Sequence, residues 1–191
     1  MRIYIVGVAC VGKSTIGELL AEKLNYKFVD FDWEVERRME EHITQIKSRH
    51  FNGDGYRDEV KHILEDLLSE NKDDIVIAMP PSGLFRQYDD ILKSHPDVII
   101  IALKDKAKHI LERTTFYDDD SVQIFNVVND KNRHLYYKDI VEDIEFFGKS
   151  YKKADIKYFL NGRNVDDSVE GLLKALEEYR EKEIEVTTEK K

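Results

Sequence analysis

The chain has 191 residues, of which 41% are hydrophobic and 36% are charged, and its formal net charge is −9 at pH 7. This length predicts one domain with a sizeable core, and the acidic balance argues against a general nucleic-acid binder, which needs a basic face. The single cysteine, Cys10, excludes an internal disulfide and a multi-cysteine metal site and suits a reducing compartment. Because the sequence shows no leader pattern and no apolar run of about 20 residues, we expect a cytoplasmic protein without a membrane segment.

The first predicted elements are a short apolar strand over Ile3–Val6, a glycine-rich loop and an amphipathic helix. The loop has the sequence Gly7-Val8-Ala9-Cys10-Val11-Gly12-Lys13-Ser14, which fits G-x-x-x-x-G-K-[ST] at every fixed position, and Thr15 follows it. The glycines let the backbone curl so that N–H groups converge on a phosphate, and the helix N-terminus adds to the field. We therefore predict a nucleotide site formed by residues 7–15.

Within this loop each polar side chain has a predicted role. Lys13 would reach the β- and γ-phosphates of ATP as a point charge, the Ser14 hydroxyl would complete the coordination of Mg²⁺, and Thr15 would reach the α-phosphate. A thiol beside a lysine at a helix N-terminus can be activated. The interpretation that we prefer for Cys10 is a small residue at a variable position of the loop, without a catalytic role.

Strands and helices alternate along the rest of the chain. The predicted strands are 26–32, 75–79, 98–103 and 155–160, and the predicted helices are 33–50, 56–69, 84–94, 105–114, 122–148 and 165–180, with a break near 129 left open. This alternation predicts a single α/β domain over residues 1–180, with a five-stranded, mostly parallel sheet and helices on both faces. The remaining residues, 181–191, form a charged tail that we expect to be flexible.

The N-terminal third resembles the shikimate kinases and, behind them, the wider group of small P-loop metabolite kinases. Besides the loop, the resemblance rests on Ile16-Gly17-Glu18-Leu19-Leu20-Ala21 and Phe28-Val29-Asp30-Phe31-Asp32. It implies a three-layer P-loop NTPase fold with a helical lid, and phosphoryl transfer from ATP, with Mg²⁺, to a hydroxyl of a small metabolite. It also implies that Asp30 lies near the metal and the reacting hydroxyl, and that Asp32 binds substrate hydroxyls. The alternative for Asp32 is a helix cap.

Shorter segments extend the resemblance. Gly53-Asp54-Gly55-Tyr56-Arg57 is similar to the family segment whose arginine binds the substrate carboxylate, which implies that role for Arg57; an ordinary surface arginine is the alternative. Arg113 resembles the residue that opens the lid and stacks on adenine. Ser82 stands in the segment after the third strand, where the family backbone approaches the substrate.

Other segments depart from the family pattern. Pro80-Pro81-Ser82 replaces a run of glycines, and proline has no N–H to offer. The acidic segment Asp118-Asp119-Asp120 stands where the family lid carries an arginine. The residues around Arg133 match the sequence around the family's second substrate arginine, but they come too early in the chain. Arg133 would therefore have to enter the site when an enlarged lid of residues 114–148 closes. The segment at the expected place, 148–155, offers only lysines.

The main hypothesis is a small-molecule kinase in which Lys13, Asp30 and Asp32 are catalytic. Its acceptor would be a polyol or sugar acid; a nucleoside monophosphate is less favoured, because the lid is poor in arginines. The hypothesis of another class is a non-catalytic, regulatory ATP-binding module, which Pro80-Pro81 and the acidic lid favour. In either case we expect a monomer or homodimer without a nucleic-acid or membrane partner.

Overall fold

The computed structural model describes residues 1–117, 123–125 and 127–189. In chain order the elements are β1 (Arg2–Val6), α1 (Lys13–Leu24), β2 (Lys27–Asp30), α2 (Phe31–Met39), α3 (Ile43–Ser48), α4 (Gly53–Glu70), β3 (Ile75–Ala78), α5 (Arg86–Lys93), β4 (Val98–Lys104), α6 (Ala107–Arg113), β5 (Phe116–Tyr117), β6 (Gln123–Ile124), α7 (Arg133–Gly148), a 3₁₀ turn (Ser150–Lys153), β7 (Ile156–Phe159) and α8 (Val165–Glu189).

Five of the strands form one sheet in the order β2-β3-β1-β4-β7, and every pairing in it is parallel. The strand β1 lies at the centre, and its side chains Ile3 through Val6 are all 0% exposed. Because successive side chains of a strand point to opposite faces, both faces of the sheet must be covered. The helices that cover it pack as two groups, α1 with α8 and α4 with α2, α3 and α5. The predicted five-stranded α/β fold is confirmed.

Capping side chains move several element boundaries away from their predicted positions. The predicted strand 26–32 ends at Asp30, because the Asp30 side chain accepts a hydrogen bond from the Asp32 amide at 3.1 Å and so begins α2. The predicted helix 33–50 is two helices, since Glu40 between them has a left-handed backbone with φ 54°. The next helix begins earlier than predicted because Asn52 accepts hydrogen bonds from the Asp54 and Gly55 amides, both at 3.1 Å.

The predicted helix 122–148 is wrong in its first part. Residues Gln123–Ile124 pair antiparallel with Phe116–Tyr117, and α7 begins only at Arg133. The acidic segment 118–120 lies outside the described residues. The last helix, α8, continues to Glu189 instead of ending at residue 180, so most of the segment expected to be a tail is helical, and its flexibility stays a prediction. Within the part of the chain that the structure describes, none of the helices combines the length and apolarity needed to cross a bilayer.

Candidate active site

The loop between β1 and α1 has the backbone of a phosphate-binding turn. Gly12 has φ 105°, and a Cβ atom added at Gly7 would lie 2.8 Å from the carbonyl oxygen of Leu103, so neither position accommodates a larger residue without strain. Among the amides of residues 9–15, only that of Val11 has a hydrogen-bond acceptor within the described residues, the Val8 carbonyl oxygen at 3.4 Å. The other N–H groups, together with the N-terminus of α1, are available to an anion.

Lys13, in the first turn of α1, is a half-buried cation that forms no salt bridge with any acidic side chain of the described residues. Its Nζ donates a hydrogen bond to the Val8 carbonyl oxygen at 2.9 Å. Burial lowers the pKa of Lys13 to about 8, against the opposing charges of Asp32, Cys10 and Asp30. A phosphate group would supply the negative charge that stabilises the ammonium form.

Asp30 connects the loop to the second strand. Its Oδ2 accepts a hydrogen bond from the Ser14 hydroxyl at 2.6 Å, while its Oδ1 accepts the bond from the Asp32 amide. Asp30, and not Asp32, is therefore the cap of α2. A hydroxyl and a carboxylate side by side fit the oxygen ligands that Mg²⁺ prefers, and Mg²⁺ at phosphate sites usually takes only one or two protein ligands. No group of three or more potential metal ligands occurs among the described His, Cys, Asp and Glu side chains.

Asp32 belongs to a cluster of buried polar atoms that lack partners. Within the described residues, Asp32 Oδ1 and the hydroxyls of Tyr56 and Tyr88 make no hydrogen bond. Burial raises the pKa of Asp32, and the positive charge of Lys47 opposes this most strongly. The negative charge of Asp30 raises the pKa further, and the positive charge of Lys13 lowers it, both more weakly than Lys47. Such orphaned polar atoms are costly unless a ligand or water satisfies them. Of these three residues Tyr56 lines the second cavity described below, whereas Asp32 and Tyr88 are not among the lining residues of either cavity, so the contact of Asp32 with substrate hydroxyls stays a prediction.

A cavity of about 490 Å³ lies beside the loop and is suited to the nucleotide. The segment Cys10–Ile16 forms one wall, and Trp33, Arg113 and Arg163 are among the other lining residues. Arg113 therefore lines the cavity beside the loop, and its stacking on adenine stays a prediction. Its Nη2 donates a hydrogen bond to Asp105 Oδ2 at 2.7 Å.

Arg163, which lines the cavity beside the loop, and Asp105, which holds Arg113, are residues that the sequence analysis missed. The Asp105 side chain is 0% exposed. It accepts hydrogen bonds from Arg113 and the Gly162 amide, and its Oδ1 lies 2.8 Å from Nδ1 of His109. Although burial opposes the effect, the bonds from His109 and Arg113 lower the pKa of Asp105. The position of Asp105 in the sequence could have indicated its importance. It directly follows the carboxyl end of β4, and ligands bind at this edge of open α/β sheets.

A second cavity, of about 570 Å³, is suited to the acceptor. Its lining includes Arg57 and Ser82, both predicted as substrate residues. The Arg57 side chain is only 12% exposed, which contradicts the alternative of an ordinary surface arginine. Its Nη2 donates a hydrogen bond to Asp54 Oδ1 at 2.8 Å, and its Cζ lies 4.8 Å from the centre of the Phe85 ring. Arg57 Nε has no hydrogen-bond partner among the described residues. The guanidinium group is thus fixed by Asp54 and Phe85 and still has one N–H donor for a ligand.

The segment Pro80–Ser82 forms another wall of this second cavity. The carbonyl oxygens of Pro81 and Gly83 accept hydrogen bonds from Tyr151 and Tyr4, at 2.8 Å and 2.6 Å. The two prolines offer no N–H, and the Gly83 amide donates to the Pro80 carbonyl oxygen at 2.9 Å. Ser82 is therefore the residue of this wall that has a side chain able to hydrogen-bond a substrate.

The structure does not bring Arg133 to either cavity. Arg133 begins α7 and lies in a separate pocket, beside Lys108 and Leu111 of α6, because the start of α7 packs against that helix. The expectation that it enters the site on lid closure stays a prediction. The lysines of the segment 148–155 do not line the acceptor cavity either, and its wall on that side is formed by Phe146 and Phe147.

A phosphate-binding loop, a cavity beside it that contains Arg113 and a second cavity that contains Arg57 together define a P-loop kinase of small molecules. A family model described as shikimate kinase matches residues 9–177. The chain therefore belongs to the shikimate kinase family. This assignment confirms the predicted P-loop fold and the prediction of an ATP-using kinase that acts on a hydroxyl group.

Individual relatives agree with this assignment. The shikimate kinase of Persephonella marina is 31% identical over 173 residues, which cover 90% of this chain and 96% of the relative. The crystal structure of shikimate kinase from Aquifex aeolicus superimposes with a TM-score of 0.66 at 30% identity, over 93% of this chain and 96% of that one. The Acinetobacter baumannii enzyme in complex with shikimate gives a TM-score of 0.69 at 24% identity over 92% of each chain, which shows a common fold.

Proposed function

We propose that this protein transfers the γ-phosphoryl group of ATP to a hydroxyl group of shikimate. The observation that carries the proposal is two buried polar atoms without partners among the described residues: Arg57 Nε, whose residue lines the second cavity, and Oδ1 of Asp32, whose charge acts on Lys13 of the phosphate loop. Shikimate is a cyclic hydroxy acid, so its hydroxyls match a carboxylate acceptor and its carboxylate matches a guanidinium. The name shared by relatives about one third identical supports the same acceptor.

The chain's own groups divide into two sets. The free amides of the loop and Lys13 would bind the phosphates of ATP, and Arg113 would stack on the adenine. Ser14 and Asp30 would hold Mg²⁺, which supplies positive charge against the phosphate oxygens when bound. Asp32 would accept a hydrogen bond from the reacting hydroxyl, Arg57 would bind the carboxylate and Ser82 would contact the acceptor from the wall formed by Pro80–Ser82.

Catalysis in this arrangement comes from position and charge. Lys13 would stabilise the negative charge on the transferring group, since a half-buried ammonium acts more strongly than one in water. Asp32 would fix the direction of the acceptor oxygen and receive its proton as the new bond forms. A monomer or homodimer in the cytoplasm stays part of the proposal.

The test is the rate of ADP formation by the purified protein with Mg·ATP and a panel of acceptors. The panel contains shikimate, gluconate, other sugar acids and nucleoside monophosphates, and the Lys13→Ala variant gives the blank rate. We expect turnover with shikimate and a loss of about 10²-fold or more in the variant. Turnover with another acceptor alone would replace shikimate in the proposal. Tight ATP binding with the blank rate for every acceptor would instead favour a regulatory module.

A further inference from the structure

The acceptor cavity contains a second cation that the sequence analysis did not single out. Lys47, near the end of α3, lines this cavity together with Arg57. Its Nζ lies 5.2 Å from the centre of the Tyr56 ring. Tyr56 also lines the cavity, so the ammonium group lies beside a ring of the cavity wall.

Lys47 is not engaged in an ion pair. Within the described residues, no acidic side chain lies within 4.0 Å of its Nζ, in contrast to Arg49, which contacts Glu41 at 2.7 Å. Lys47 nevertheless influences the site, because its charge is the strongest one opposing the burial that raises the pKa of Asp32. An ammonium group near a cavity, near a catalytic carboxylate and without an acid of its own is suited to bind a ligand anion.

The wall that the end of α7 contributes to this cavity has no cation. In place of a second arginine before the last strand, Phe146 and Phe147 line the cavity, and both rings pack on Phe85, with centroids 5.9 Å and 5.7 Å away. This wall is apolar and offers no charge to a carboxylate. The positive charge of the cavity comes instead from the side formed by α3 and α4.

We infer that Lys47 is a specificity-determining residue, which binds the carboxylate of the acceptor together with Arg57 while the three phenylalanines contact the apolar part of the same molecule. The inference rests on the proposed function and names the group that completes its acceptor site. Two cations on one side and rings on the other would orient a hydroxy acid with its carboxylate toward α3 and its ring against the aromatic wall.

The test compares Lys47→Gln with Lys47→Arg and with Lys149→Gln, a control that removes a nearby lysine outside the cavity. With shikimate as acceptor, Lys47→Gln should raise KM about ten- to hundredfold, change kcat less than about threefold and leave the KM for ATP unchanged. Lys47→Arg should restore most of the affinity, and Lys149→Gln should behave as the wild type. Unchanged KM in Lys47→Gln, or an equal loss in Lys149→Gln, would overturn the inference.

The methyl ester of shikimate separates a contact with the carboxylate from a change in the protein. The ester should be a weaker acceptor than the acid for the wild type. The Lys47→Gln substitution should raise the KM for the ester by less than about threefold. An equal loss with acid and ester would mean that Lys47 acts on the scaffold, and would refute the inference while the proposed function stands. If the wild type phosphorylates another acceptor and not shikimate, the proposed function fails. The inference about Lys47 then stands only if that acceptor carries a carboxylate and Lys47→Gln raises its KM. If the acceptor is uncharged, or if no acceptor is phosphorylated, both the proposed function and the inference are overturned.

Discussion

The ionisation of Lys13 should make ATP binding depend on pH in the alkaline range. In the free protein burial lowers its pKa to about 8, and the ammonium form is the one that binds phosphate. Affinity should therefore be constant below that pH and fall as pH rises through it, by about tenfold per pH unit once the neutral form dominates. Calorimetric titration with ATP across this range measures the effect.

The control for this measurement is Cys10→Ser, which removes the other ionisable side chain within residues 7–13 of the loop. The variant should keep the same pH dependence. An ATP affinity that stays constant to well above pH 8 in the wild type, or that becomes constant in Cys10→Ser, would contradict the role given to Lys13.

We expect the Asp32 carboxylate to be needed for activity and to lower the stability of the folded protein. Replacing it with Asn keeps the shape but removes a buried carboxylate whose pKa burial raises. We expect kcat to fall about 10²- to 10³-fold while ATP affinity changes less than about twofold. Because a carboxylate with a raised pKa in the folded state destabilises the protein above that pKa, the Asn variant should have an equal or higher Tm at neutral pH.

Steady-state kinetics and thermal unfolding of Asp32→Asn and of the exposed control Asp139→Asn measure both effects. Asp139→Asn should leave kcat unchanged. A lowered Tm in Asp32→Asn, together with near-normal kcat, would show that Asp32 stabilises the structure and is not needed for the reaction.

At the scale of elements, the junction between α2 and α3 carries backbone strain that glycine would relieve. Glu40 is exposed and has φ 54°, a left-handed conformation that costs an L-residue about 1 kcal/mol or more. Glu40→Gly should therefore raise the free energy of unfolding by roughly 0.5–1 kcal/mol, after the greater flexibility of glycine in the unfolded chain is counted. Urea unfolding at neutral pH measures the change.

The matched control is Glu65→Gly, at an exposed position inside α4. There glycine has no strain to relieve and should lower the free energy of unfolding by about 1 kcal/mol. Opposite signs for the two variants are expected. Destabilisation by both would mean that the Glu40 conformation is not strained, or that its side chain contributes a contact.

For the whole molecule, the phosphate site was predictable because its signal is local. Residues 7–15 carry the loop, its glycines and the start of α1 in one continuous stretch, and Asp30 follows at the end of the next strand. The alternation of strands and helices likewise determines a parallel sheet with few alternative topologies. The glycine turn, the start of α1 and the parallel sheet agree with the structure apart from the element boundaries, while the roles of Lys13, Ser14 and Asp30 stay predictions.

The acceptor cavity was less predictable because its walls are distant in sequence. Lys47 becomes a cavity residue only when α3 packs on α4, and Phe147 only when the end of α7 approaches Phe85. No periodicity indicates such contacts. The helix predicted through residues 123–124 failed for a related reason, because an antiparallel pair of two residues per strand has too short a pattern to distinguish from a helix.

The measurement that tests the central claim most directly is the ³¹P NMR spectrum of the protein incubated with Mg·ATP and shikimate. Transfer to a hydroxyl predicts a new phosphomonoester resonance that grows in step with ADP, about one equivalent for each ADP formed, and that is missing with Lys13→Ala. ADP accompanied only by inorganic phosphate would mean that water is the acceptor. That result, or a spectrum that does not change, would contradict a kinase acting on shikimate.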